Sequence, residues 1–518
     1  MQTSKAGRIK ESRPEGLPAG GVRGPGRAAA LFLPPLLLLL PLFSGGCSLA
    51  PDYERPASPV EGSFPEYPEY RGPGAEERRA EGAGDRAAPD RGEALGDSAV
   101  LPEDLPWQDF YRDAGMRSLI AAALENNRDL RLALLNVEKN QALYRIQRSE
   151  LFPDVAAGGA ASNQRSRTFQ AGPESAVARR YSLSVGITSY ELDIFGRVRS
   201  LNEAALESYL ASESAAYGAR LAIIGEVAST YLQLVACREQ YDLTAGTYAS
   251  RRESHLMIEA MYRQGLASQL TVNQARMAVE EARVNAVNLH TTLLRLENAL
   301  VLLLGGSLPP GLKIPSRLAE VERFEDIPVG VSSRLLERRP DILEAEHALK
   351  AANANIGAAR ASFFPSISLT STLGLISADL DDLFAKDSRT WNFTPQVGLP
   401  LFTGGSLLAN LEGAHIQRDM AVAAYEKAIQ GAFREVADAL AQRSTITEQL
   451  EAVKSLRDAS QQSYDISNLR YEIGVDSFMN VLDAQRMLFS AQRAYIDSEL
   501  QRELNSVNLY KSLGGGWK

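Results

Sequence analysis

Apolar and polar positions along this chain follow two periods, one after the other, and the succession occurs twice. From Gly115 to Ser149 the residues Leu119, Leu124, Leu130, Leu134, Val137 and Tyr144 recur at helical spacing until Pro153 ends the run. The period then falls to two. Tyr181, Leu183, Val185 and Ile187 are apolar, and Ser182, Ser184, Gly186 and Thr188 between them are small or polar. That alternation predicts a strand with one apolar and one polar face. A weaker strand, mostly Ala and Gly, opens near Asp154. Further on, Ile367, Leu369, Leu373 and Leu375 alternate with Ser366, Ser368, Thr370, Thr372 and Gly374. Trp391, Phe393, Val397, Leu399 and Leu401 alternate with Asn392, Thr394, Gln396 and Gly398.

Each strand pair precedes a very long helical stretch. Arg199 to Tyr262 contains no proline and is rich in Ala, Glu, Leu and Gln, and Leu407 to Tyr471 repeats it. At about 1.5 Å per residue such a helix reaches roughly 95 Å. Both end at Tyr-x-x-Gly-x-x-Ser, where Gly265 or Gly474 can take the left-handed conformation, and both return helically to Gly305 or Gly514. A shift of 212 superimposes Asp129, Arg148, Phe152 and Pro153 on Asp341, Arg360, Phe364 and Pro365. A shift of 209 superimposes Tyr262, Gly265, Ser268, Val272 and Gly305 on Tyr471, Gly474, Ser477, Val481 and Gly514. The whole unit is therefore duplicated.

The strands have no second amphipathic sheet to pack on, and their length is that of a tilted membrane-spanning strand. Tyr181, Trp391 and Phe393 near strand ends suit an interfacial girdle. Four strands cannot close, and an open edge in lipid leaves backbone groups unpaired at several kcal/mol each. Several chains must pool their strands; physics permits two or more, and three would give about twelve strands. The helices, too long for a globule, are expected to pack around a shared axis as extended coiled coils.

Composition narrows the chemistry. The 518 residues carry a net charge of −9 without a basic stripe in the body of the chain, which excludes nucleic acid as a partner. His255, His290, His347 and His415 are scattered, with no His-Glu-x-x-His and no nucleophile elbow, so no catalytic residue, metal or cofactor is expected. Cys237 reads as a small packed residue in a helix. At the N-terminus, basic residues precede an apolar run from Ala28 to Phe43 that is broken by prolines and too short to span. Residues 1–46 are expected to be a signal peptide, and Ala57 to about Leu101, rich in Pro, Gly and charge, a flexible tether.

Cys47-Ser-Leu-Ala-Pro-Asp-Tyr-Glu-Arg-Pro56, Trp107-Gln-Asp-Phe-Tyr, Leu151-Phe-Pro153, Glu191-Leu-Asp-Ile-Phe-Gly196, Glu337-Arg-Arg-Pro-Asp-Ile342 and Gly474-Val-Asp-Ser-Phe-Met-Asn-Val-Leu-Asp-Ala-Gln-Arg486 closely resemble outer membrane factors of the TolC and OprM type. The resemblance spans about residues 47 to 517. Within that family the chain looks most like the lipoproteins that work with resistance-nodulation-division pumps. The fold implied is mainly α with transmembrane β. Three subunits would form a twelve-stranded barrel in the outer membrane of a Gram-negative bacterium and a twelve-helix periplasmic tunnel. The expected segments are 1–46 signal peptide, 47–106 lipidated segment and linker, 107–306 first repeat, 307–336 connector and 337–515 second repeat. Partners implied are a periplasmic adaptor and an inner membrane pump; export of proteins by type I secretion, which uses the same outer component, is the alternative. A periplasmic adaptor itself is not expected, since it has one helical hairpin rather than two.

The resemblance also assigns residues. Ser44-Gly-Gly before Cys47 resembles a lipoprotein processing site in which Ser44 replaces the usual leucine; lipidation of Cys47 and simple cleavage nearby both remain open. Asp483 matches a carboxylate ring at the tunnel constriction, Met479 an apolar ring beneath it, and Asp476 is the second choice for the ring. Tyr471 matches a gate tyrosine whose usual acidic partner is here Thr271. The two turns, Gly265-Leu266 to Ser268 and Gly474-Val475 to Ser477, are the expected adaptor contacts.

Overall fold

The computed structural model describes residues 48–65, 67, 105–166, 176–325 and 333–516. The predicted signal segment, Cys47 and most of the predicted tether lie outside the described residues. The first repeat comprises α1 (Trp107–Phe110), α2 (Ala114–Asn126), α3 (Arg128–Ser149), β1 (Val155–Ser166), β2 (Ala176–Glu191), α4 (Arg197–Arg263) and α5 (Gln269–Leu304). The second comprises α6 (Pro340–Ala361), β3 (Ser366–Ser377), β4 (Arg389–Gly398), α7 (Ser406–Glu472) and α8 (Phe478–Ser512).

The helix expected over 115–149 is two helices, because Asn127 leaves helical geometry and caps α3 by accepting from the Leu130 amide at 2.9 Å. α4 and α7 are each 67 residues, about 100 Å long. α3 lies along the strand-proximal part of α4, with Tyr144 stacked on Tyr209, and α5 along the turn-proximal part, where Arg251 bonds the Ala278 carbonyl and Glu281.

The four strands form one antiparallel sheet in the order β1-β2-β3-β4, so the pairing of β2 with β3 joins the halves. Across it Ala157, Val185, Leu373 and Trp391 share one row, as do Gly159, Leu183, Leu375 and Arg389. These rows make one face predominantly apolar, with Ser371 and Arg389 among its polar members, while Ser182, Ser184, Thr370, Thr372, Asn392 and Gln396 lie on the other. One extra residue in β2 between Ile187 and Tyr190 forms a bulge that keeps Tyr190 opposite Leu369. β4 stops at Gly398, so Leu399 and Leu401 fall outside the strand. Of the three expected girdle aromatics, Trp391 lies near its strand's end as the third residue of β4, whereas Phe393 in the middle of β4 and Tyr181 five residues inside β2 lie further in.

A buried core at mid-height ties the repeats together. The Phe110 ring stacks on Tyr510 at 3.9 Å, Phe324 of the connector stacks on Phe110 at 5.3 Å, and the Tyr510 hydroxyl donates to the Leu105 carbonyl at 2.6 Å. The N-terminal segment runs along α6. Arg360 donates to the Leu49 carbonyl at 3.2 Å and Asn353 to that of Pro51 at 2.8 Å. A Cβ on Gly357 would meet the Ala50 Cα at 2.8 Å, so only glycine admits this strap. Packing persists past residue 57, where the tether was expected to start: Phe64 is buried and stacks on Phe433 at 5.0 Å. One aromatic ring suffices to hold an otherwise polar stretch.

Candidate functional site: the helical tips and the sheet face

The two turns close by the same backbone device. Gly265 (φ 76°) and Gly474 (φ 78°) are left-handed, and the next amides, Leu266 and Val475, return to the carbonyls of Met261 and Arg470 at 2.9 Å each. The side chains then diverge. At the first tip the Ser268 hydroxyl accepts from the Thr271 amide at 3.1 Å and bonds its hydroxyl at 2.9 Å. At the second, Ser477 makes no such cap, and Arg470 instead clasps Asp476 through two contacts of 2.5 and 3.2 Å. The repeat-equivalent positions are Met261 and Ala267, so this ion pair has no counterpart at the first tip. The hydrogen bond from Arg470 holds the Asp476 carboxyl below the usual carboxylate range.

A small core of its own binds the tips to each other. Ile258, Val272, Ala275, Phe478 and Val481 are buried together, drawing on α4, α5 and α8. Tyr471 packs against this cluster, its ring 5.4 Å from that of Phe478, and its hydroxyl points to the Met261 sulfur at 3.7 Å. Thr271, the residue matched to the usual partner of Tyr471, is occupied by Ser268 instead. Leu266 and Val475 stay exposed at the ends of the turns.

Asp483 lies one turn above Met479 on the exposed side of α8, and its carboxylate bonds Arg486 at 2.6 Å. The pairing partners Arg470 and Arg486 are the residues that sequence reasoning overlooked. The signal was present for the second, because an acid three positions before an arginine on a helix brings the two side chains together. Among the described residues no three His, Cys, Asp or Glu side chains form a metal-holding group.

A four-stranded sheet with one apolar face, continuous with helices about 100 Å long, defines the class of outer membrane channels with a helical stem. The family described as outer membrane efflux protein matches residues 119–306 and 331–515, and the chain belongs to it. It is 46% identical over 475 residues to the toluene efflux pump outer membrane protein TtgC of Pseudomonas putida, covering 91% of this chain and 93% of that protein. It is 42% identical to the outer membrane protein OprJ of Pseudomonas aeruginosa, over 93% of this chain and 95% of the relative. Among solved structures, the open state of the Neisseria gonorrhoeae MtrE outer membrane channel superimposes with a TM-score of 0.77 at 34% identity, over 91% of this chain and 99% of that one. The Campylobacter jejuni CmeC outer membrane channel gives 0.79 at 27% identity, over 91% and 95%. The protein is thus an outer membrane efflux channel.

Proposed function

We propose that three copies form the exit duct of a tripartite efflux system. It conducts cargo passively from a periplasmic adaptor and inner membrane pump to the exterior and performs no reaction itself. One observation carries this: β1 and β4 are open edges of an apolar-faced sheet among the described residues, and such edges are tolerated in lipid only when another chain closes them. Three sheets of four strands supply the twelve strands of a medium barrel.

The tips are the adaptor contacts and the gate. Asp483 and Met479 line the constriction, with Asp476 as the second carboxylate, and the Tyr471–Met261 contact together with the Arg470–Asp476 pair holds the second tip. Cys47 is the lipid attachment point that fastens the N-terminal strap to the membrane. Relatives named for toluene, solvent and antibiotic efflux support small-molecule cargo over protein export. The test is the mature protein in detergent and in planar bilayers. A trimer that forms discrete ion-conducting pores is expected; a water-soluble monomer with no conductance overturns the proposal.

A further inference from the structure

The mainly apolar face of the sheet changes character at the end remote from the helical stem. From Ile367 to Ser377 the β3 strand runs about 34 Å. At a strand tilt of about 40° that path covers roughly 26 Å of depth, the height of one lipid-facing band. Tyr181 lies opposite Ser377, at the top of this band. In the next row beyond it Asn163 stands opposite Arg179, and in the row after that Arg165 stands opposite Val177. Alternation along the strands keeps Asn163, Arg165, Arg179 and Tyr181 on the same face as Leu183 and Val185.

These four side chains form a compact patch. Arg165 and Arg179 are diagonal neighbours on adjacent strands, with Cα atoms about 7–8 Å apart. Both are exposed, as is Asn163. Among the described residues, none of the four has a side-chain hydrogen bond or an ion pair. The patch therefore offers several free donors and no carboxylate.

Charge on this face is one-sided. Among the described strand positions its charged residues are Arg165, Arg179 and Arg389; none is acidic, and all lie on the half remote from the stem. Arg389 sits two rows nearer the stem than Arg179, beside Leu375, and stands apart from the patch. At the stem end the same face presents Val155, Ile187, Ile367 and Val397. Arginine on a lipid face is costly at the midplane and tolerated near an interface, which accounts for Arg165 and Arg179 lying past the band. That tolerance holds equally at both interfaces, so it does not account for their confinement to one. The headgroups are what differ between the two leaflets. With the stem in the periplasm, the arginines meet the outer leaflet.

A guanidinium can present two parallel N–H donors to a phosphate. Two of them, with the Asn163 amide and the Tyr181 hydroxyl beside them, suit a headgroup that carries more than one phosphate together with sugar oxygens, rather than the single phosphodiester of a phospholipid. We infer that Asn163, Arg165, Arg179 and Tyr181 bind the phosphates of an anionic glycolipid of the outer leaflet, whose acyl chains lie along Leu183 and Val185. The inference rests on the reading of the protein as an outer membrane channel with a periplasmic stem, and it gives that channel a lipid partner.

The test is titration of the detergent-purified protein with lipid A, a bisphosphorylated acylated disaccharide, with bound lipid and oligomeric state read together by native mass spectrometry. Arg165→Gln/Arg179→Gln should weaken binding about tenfold or more. Arg165→Lys/Arg179→Lys should recover part of it. Arg180→Gln, which alters the neighbouring arginine on the polar face, should bind as the unaltered protein does. The dephosphorylated disaccharide should bind the unaltered protein no better than lipid A binds the double glutamine variant. Equal binding by the unaltered protein and that variant overturns the site, and so does an equal loss in Arg180→Gln. Phosphatidylglycerol that binds as tightly as lipid A, or inorganic phosphate that displaces lipid A at equal concentration, overturns the glycolipid as occupant. Those failures leave a trimeric channel standing, whereas a water-soluble monomer overturns the channel itself.

Discussion

The side-chain amide of Asn127 donates to the carbonyl of Leu303 at 2.7 Å while its oxygen caps α3. One residue thereby closes the end of α5 and the start of α3, stacking two short helices into a single rod against α4. Its repeat equivalent does the same work with different chemistry. Arg339 donates to the Ser512 carbonyl at 2.6 Å, joining α8 to α6, and Leu303 and Ser512 are themselves 209 positions apart. Gly305 follows as the left-handed C-cap at φ 63°, and a Cβ there would also run into the Asn126 carbonyl oxygen, so the splice requires glycine.

Replacing Asn127 by Ala removes a helix cap and leaves the Leu303 carbonyl without its donor. The expected loss is about 2 kcal/mol. Thermal unfolding in detergent checks it. Asn127→Asp, which keeps the capping oxygen but not the amide donor, should recover only part of the loss.

The sheet faces differ in what they tolerate. Leu373→Arg places a charge on the apolar row shared with Val185 and Trp391, at an expected cost of about 2–4 kcal/mol if that row meets lipid. Thr394→Arg, on the opposite face, should be accepted. The fraction of protein recovered in the outer membrane, with its resistance to trypsin, distinguishes the two.

The strap carries a pH signature. Burial alone would raise the Glu346 carboxyl, but hydrogen bonds from Lys350 and Arg55 outweigh it and hold it below its ordinary value of 4.5. A depressed folded-state pKa means the stabilisation is complete above the unfolded value and is lost as pH falls through the folded one. Cleavage or hydrogen exchange within residues 48–65 should therefore rise only below about pH 4.5 in the native protein. In Glu346→Gln the exchange should already be high at neutral pH and lose that dependence. Phe64→Ala, which empties the stack on Phe433, should loosen the same segment by about 3 kcal/mol.

At the tip, Asp483→Ala combined with Tyr471→Phe should raise single-channel conductance in planar bilayers. Arg486→Ala should increase cation selectivity, measured as a reversal potential in a salt gradient, because it unmasks the Asp483 carboxylate. Unchanged conductance and selectivity in both would remove these residues from the gate.

Periodicity made the elements legible. Period-two alternation located β2, β3 and β4, β1 was legible only as a weak Ala- and Gly-rich strand, and proline-free stretches located the long helices to within a few residues of their ends. The repeat offsets located both turns, because glycine is needed where φ is positive. Harder to read were the break at Asn127, since a polar residue within a helical pattern looks like solvent-facing surface, and the late release of the strap, since the burial of Phe64 depends on Phe433 hundreds of positions away. The tip wiring was hidden for the same reason: Thr271 stood in line with Tyr471, yet its hydroxyl was already satisfied locally by Ser268.

The sequence by itself determined that two equivalent units alternate strand pairs with helices, that one sheet face is apolar, and that a single chain cannot seal that sheet. Such properties follow from local spacing and from the cost of unpaired backbone. Only the tertiary structure decided that β2 pairs with β3, that Met261 rather than Thr271 receives Tyr471, and that Asn127 and Arg339 splice helices end to end. Those outcomes depend on which distant side chains arrive within hydrogen-bonding reach, and no local period encodes that.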